Sequence, residues 1–181
     1  MPNMLRKIWR FIWVEDSVIS WIVNIILAFL IVKFLVYPGL GLALGTGYPV
    51  VAVVSSSMHH NGNFNEWFAE KGGWYNLSEE EMRNWIFSDG FNRGDIMFLK
   101  GANNLKIGDV IVFVGNSENP IIHRVVEVND GYYATKGDNN NDSYSALGET
   151  HIEKNQIIGK AFGRVPLLGY VKIIFSEVLG G

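Results

Sequence analysis

The sequence predicts a mainly β domain carried on one N-terminal membrane helix, and two observations carry that prediction. Residues 18–37, VISWIVNIILAFLIVKFLVY, form a single apolar run in which only Ser20, Asn24 and Lys33 are clearly polar. From Tyr48 the pattern changes to short β-branched runs broken by Gly, Asn and Asp. A chain of 181 residues has room for one compact domain plus such an appendage.

The apolar run comes first. Its 20 residues at ~1.5 Å rise span about 30 Å, the thickness of a bilayer hydrocarbon core. A buried core helix or the shorter apolar region of a cleaved signal peptide fits that length less well, so the run reads as a retained anchor over 18–38. Pro38 and Gly39 are expected to stop the helix, and Lys33 near its end can reach the interface along its own stem. The preceding arm, 1–17, carries Arg6, Lys7 and Arg10, whereas residues 38–65 contain no Lys or Arg. The positive-inside rule then predicts a cytoplasmic N-terminus and a domain over 39–181 on the far side of the cell membrane.

Candidate strands follow at 49–54, 95–100, 109–114, 121–128, 132–136 and 156–163. Asn129-Asp130-Gly131 between two of them is a hairpin turn, because Gly accepts positive φ there. Residues 60–92 depart from the strand pattern, being polar and aromatic. Ser78 and Glu81 suggest a capping box within them, and Met82, Trp85 and Ile86 a helix over about 79–87. This insertion reads equally as an interfacial foot beside the anchor or as a layer packed on its own domain. The end, 165–179, is apolar but interrupted by Lys172 and Glu177, and reads as a membrane-grazing segment or a core helix.

Composition narrows the chemistry. Fifteen Lys and Arg against 18 Asp and Glu leave no basic excess for nucleic acid. The absence of Cys removes disulfides, thiolate metal sites and cysteine nucleophiles. What remains is a strand that ends abruptly in three hydroxyls, Ser55-Ser56-Ser57, followed downstream by His123 and then by Asp138 and Asp142 in the loop Lys136-Gly137-Asp138-Asn139-Asn140-Asn141-Asp142. Alone that loop suggests a turn or calcium, but a calcium loop needs Gly where Ser143 stands. Serine, histidine and aspartate can supply a nucleophile, a base and an orienting carboxylate, since a hydroxyl needs a base to attack an amide at neutral pH. By residue type alone this signal is weak.

The order of motifs is far more specific. It runs from the anchor through Ser55-Ser56-Ser57-Met58, Arg93-Gly94-Asp95-Ile96, Gly108-Asp109-Val110-Ile111, Ile122-His123-Arg124-Val125 and Lys136-Gly137-Asp138-Asn139-Asn140 to Ile158-Gly159-Lys160. Taken together it resembles the type I signal peptidases, in the Ser-His-Asp branch of archaea and the endoplasmic reticulum. The resemblance implies an antiparallel β-domain and a serine endopeptidase that removes signal peptides from exported preproteins. It implies Ser57 as nucleophile, Ser55 as an oxyanion donor, and His123 as base where the bacterial branch has Lys. It leaves two carboxylates, with Asp142 favoured as the partner of His123 and Asp138 as a supporting group. Ser56 and His60 stand where the family usually has Gly and Pro. Substrate would lie as a strand along Val50, Val51, Ala52, Val53 and Val54, and the site would lie close to the outer membrane face, since Ser57 follows the anchor closely. No metal or organic cofactor is required; the partners are preproteins and the lipid bilayer. The rival readings are a catalytically silent tethered domain that docks export components, and a self-cleaving protease, which would normally need a Lys base.

Overall fold

The computed structural model describes residues 2–61 and 63–168. They fall into two compact units, one ending at Ala43 and one starting at Leu44.

The first unit is two helices, α1 (Pro2–Trp13) and α2 (Val18–Leu44). Ser17 caps α2, its Oγ accepting the Ser20 N–H at 3.1 Å. The helix is long and apolar enough to cross a membrane. It does not stop at Pro38 and Gly39 as the sequence predicts, but passes both. A π turn over Val32–Val36 precedes the proline, with the Tyr37 N–H bonded to the Val32 carbonyl. That wider turn opens the ladder at the carbonyl the proline ring would otherwise crowd. Gly45, at φ +67°, then ends the helix. Lys33 is therefore interior to the helix, with its ammonium over the rings of Phe29 and Phe34.

The second unit is a curved, seven-stranded antiparallel sheet, a half-barrel, in the order β1-β2-β7-β3-β4-β5-β6. Its strands are β1 (Val50–Ala52), β2 (Ile96–Lys100), β3 (Val110–Phe113), β4 (Ile121–Val128), β5 (Tyr132–Lys136), β6 (Ile152–Glu153) and β7 (Ile157–Val165). Each predicted strand has its counterpart, and the two-residue β6 is added. Central β3 is buried on both faces, which is why it reads Val-Ile-Val-Phe without alternation. Val110 and Val112 join the cluster of Val53, Met58, Phe91, Met97 and Leu99, while Ile111 and Phe113 join Leu105, Val125 and Ile152. The β4–β5 hairpin turns at Asn129–Tyr132, with Gly131 at φ +92°.

The aromatic insertion holds α3 (Phe64–Lys71), a 3-10 turn over Gly72–Tyr75 and α4 (Glu79–Arg83). The Ser78–Glu81 capping box forms as the spacing predicts, although the helix ends at Arg83. Phe64, Trp67, Tyr75 and Met82 are buried together, with Phe68, Trp85 and Val126 of β4 against them. The insertion therefore packs on its own domain through these rings, while Trp74 is left 42% exposed. Of the segment predicted over 165–179, the part beyond Leu168 lies outside the described residues.

Candidate active site

The three serines follow β1, which is one of the two edge strands of the sheet. Val53 continues the pairing one residue past β1, donating to Asp95 O and accepting from the Gly94 N–H. The chain then turns, with the His59 N–H on Ser56 O, and Met58 plugs into the core while its carbonyl accepts from Phe91. Ser57 is held from the opposite side by the 137–142 loop: the Asn139 N–H donates to Ser57 O at 2.8 Å, and Asn139 Nδ2 to Ser56 O at 3.3 Å. With its backbone pinned, Ser57 places Oγ 3.0 Å from Ser55 Oγ. Ser56 is exposed and directs no hydroxyl contact to this pair.

His123 is the third residue of β4, opposite Ile111, and is almost fully buried. Its Nδ1 is hydrogen-bonded to Glu149 Oε1. An ionised carboxylate can only accept, so Nδ1 is the donor, and in the neutral ring Nε2 is the nitrogen with the free lone pair. Nε2 lies beside Gly137: a Cβ added to Gly137 would lie 2.9 Å from it and 2.7 Å from Asn140 Nδ2. The loop that binds the Ser57 carbonyl is therefore the loop against which the imidazole edge rests. Among the described residues Ser57 Oγ makes no direct hydrogen bond to His123, and such contacts commonly tighten only when substrate binds.

The carboxylate that meets His123 is Glu149, a residue outside the predicted Ser-His-Asp set. It follows the 3-10 turn Ser145–Leu147 and Gly148, whose φ of +79° reverses the chain. The Thr135 N–H then donates to Glu149 O, fixing the residue beside β5. Its carboxylate is fully buried, with Oε2 accepting the Tyr144 N–H at 2.6 Å and Oε1 on His123. Asp142, favoured for this place, is exposed and accepts only the N–H of Ser143 at 2.8 Å. Lys71 Nζ holds the neighbouring Asn141 side chain at 2.7 Å, tying that part of the loop to α3 rather than to β4.

Asp138 is not on His123 either. It is wholly buried and takes Arg124 Nε and Nη2 on its two oxygens at 2.9 and 2.6 Å. His60 Nε2 lies 3.0 Å from Oδ2, and the Tyr75 hydroxyl donates to Oδ1 at 3.3 Å. Its backbone reaches further, the N–H to Met58 Sδ and the carbonyl to Trp67 Nε1. Burial alone would raise its pKa, but the Arg124 guanidinium and the His60 contact hold it well below the usual carboxylate range. Arg124 and His123 are successive residues of one strand and so face opposite sides of it. Asp138 thus ties the serine loop, β4 and the insertion together from behind the site. Lys136, opposite Arg124 in register, lies over Trp74 and Tyr75, and burial pushes it down to about 8.

The expected substrate strand divides by face. Val53 belongs to the core and Val51 packs against it, while Val54 is exposed. Because the backbone groups of Val53 bond toward β2, alternation directs those of Ala52 and Val54 to the open edge. Among the described residues no group of three or more His, Asp or Glu is placed to hold a metal ion.

No family model matches the chain. Among curated proteins it is similar to the signal peptidase complex catalytic subunit of Sclerotinia sclerotiorum, 32% identical over 155 residues, covering 80% of this chain and 73% of that protein. The subunit of the same name from Lachancea thermotolerans is 34% identical over 156 residues, 80% of this chain and 76% of that one. That from Neurospora crassa is 37% identical over 98 residues, 48% of this chain and 57% of the relative.

Proposed function

This chain belongs to the family of signal peptidase complex catalytic subunits, serine endopeptidases that remove signal peptides, and we propose that Ser57, His123 and Glu149 carry its reaction. In this reading Glu149 accepts the Nδ1 proton and holds the imidazole in the tautomer whose Nε2 is free. His123 Nε2 takes the Ser57 proton as Oγ attacks the scissile carbonyl. The oxyanion that forms meets the Ser55 hydroxyl and the Ser57 N–H. The imidazolium returns its proton to the leaving amine, and water, activated by the same Nε2, releases the acyl group from Ser57. Asp138 supports the site without touching the reacting atoms. The observation that supports this assignment best is the buried His123–Glu149 pair, set against the loop that binds the Ser57 carbonyl.

The preprotein would add as a strand to the open edge of β1, bonding the backbone of Ala52 and Val54 and leaving Val51 and Val53 in the core. The relatives' name speaks of a complex, and further subunits are proposed partners here on that ground. The chain is a membrane protein with one candidate span among the described residues. We place it in the cell membrane, N-terminus inside and sheet domain outside, because Arg6, Lys7 and Arg10 precede the span and residues 38–65 carry no Lys or Arg. The nucleophile is tested by preprotein cleavage in membranes. Ser57→Ala should abolish processing and Ser56→Ala should retain most of it; equal losses would mean that Ser57 is not the nucleophile.

A further inference from the structure

α1 is built as an amphipathic helix whose apolar face, over its first two turns, no other described residue of this chain covers. Arg6, Lys7 and Arg10 fall on one side of it, and Leu5, Ile8, Trp9 and Ile12 on the other, at helical spacing. Leu5, Trp9 and Trp13 are 72%, 63% and 70% exposed, an unusual degree for such residues in water. Only the last turn is covered, where Phe11 and Ile12 are half-buried next to α2.

That last turn shows where the helix is held. The final carbonyls of an α-helix have no partner within it. Here Arg10 O accepts the N–H groups of Val14 and Glu15, Ser20 Oγ donates to Phe11 O at 2.6 Å, and Asn24 Nδ2 to Ile12 O at 2.9 Å. Ser20 and Asn24 are two of the three polar residues of the apolar run, and this is their use. At ~1.5 Å per residue they lie about 3 and 9 Å into α2 from Val18. A helix lying in the membrane surface buries its apolar face about 5–10 Å into the headgroup and acyl boundary. The end of α1 is therefore fixed to the span at that depth. Trp9, Trp13 and Trp21 are all exposed there, the residue type that favours this layer.

From these observations we infer that α1 is an in-plane membrane helix, its apolar face in the acyl boundary and its cations on an anionic phospholipid surface, clamped to the span by Ser20 and Asn24. α1 carries three cations and no acid, with Glu15 and Asp16 following only in the turn. An open cleft of about 810 Å³ between the helices, lined by Lys7, Arg10, Glu15, Phe11 and Val23, adjoins the cations. The inference rests on the reading of α2 as a membrane span and is independent of the catalytic assignment.

The chain has no Cys, so single spin labels can be placed in the full-length protein without further change. Leu5→Cys and Ile8→Cys report on the apolar face, Asn3→Cys and Lys7→Cys on the polar one. In discs of mixed phosphatidylcholine and phosphatidylglycerol, labels at 5 and 8 should be open to oxygen and shielded from a water-soluble nickel complex. Labels at 3 and 7 should show the reverse. Each cation is expected to contribute about fivefold to the ratio of surface-bound to free helix, so replacing Arg6, Lys7 and Arg10 by Gln should release α1. Ser20→Ala with Asn24→Leu should raise the mobility of the label at Ile8. Four water-exposed labels would overturn the inference, as would labels at 5 and 8 shielded from both probes, which would indicate a protein cover. An accessibility profile identical in pure phosphatidylcholine discs and insensitive to the Gln changes would overturn the anionic part. Preprotein cleavage by each labelled protein checks that it is folded.

Discussion

A buried carboxylate is stable only when its oxygens are met, and Asp138 has Arg124, His60 and Tyr75 on its two. Asp138→Asn would leave Arg124 as a buried cation without its counter-charge, at a cost of about 3–5 kcal/mol. Thermal unfolding at pH 7 should show a large fall in Tm. The acid limb carries a sign as well. The folded carboxyl titrates well below its ordinary value, so the unfolded chain takes up the proton first as pH falls. Its contribution to stability is therefore complete above about pH 4 and is lost progressively below it. The Asn variant should lack that part of the acid slope. An unchanged Tm in an inactive Asp138→Asn protein would move Asp138 from support into the chemistry. That Ser57 and His123 lie against one loop was legible in outline, because both sit in motifs of fixed order. The carboxylate was not, because which acid reaches Nδ1 depends on how the chain returns from the 137–142 loop. The 3-10 turn and Gly148 bring back Glu149, whose longer side chain reaches His123, while Asp142 is left in solvent.

Strands were the most legible elements, since each apolar or alternating run is short and bounded by turn residues. Two features were not. The continuation of α2 past Pro38 depends on a π turn that no residue type signals, and the packing of the insertion depends on Val126 offering an apolar patch outside the main core. The edge strand yields a direct prediction. In the proposed binding mode the Val54 N–H bonds substrate at the open edge, so Val54→Pro removes that donor and leaves the Val53 bonds toward β2 in place. KM for preprotein should rise about 5–10-fold, the value of one backbone hydrogen bond, with Tm little changed. Val54→Thr keeps the N–H and should bind substrate as the parent does. A KM unaffected by proline would place the substrate elsewhere.

At the scale of the whole molecule, the sheet domain and the span are separate compact units, and the proposed orientation rests on charge. With Arg6, Lys7 and Arg10 inside, protease added to intact cells should digest the sheet domain and spare an N-terminal tag. The reverse pattern would contradict both the topology and the export role. The central claim, that Glu149 orients the catalytic histidine, is tested most directly by cleavage rates of Glu149→Gln and Asp142→Asn proteins in the same membranes. An amide at 149 can donate to Nδ1 and favour the wrong tautomer, a change that costs ~10⁴-fold in a serine protease triad. The account predicts a loss of about 10³–10⁴-fold for Glu149→Gln and near-parental activity for Asp142→Asn. An active Glu149→Gln protein beside an inactive Asp142→Asn protein would contradict it.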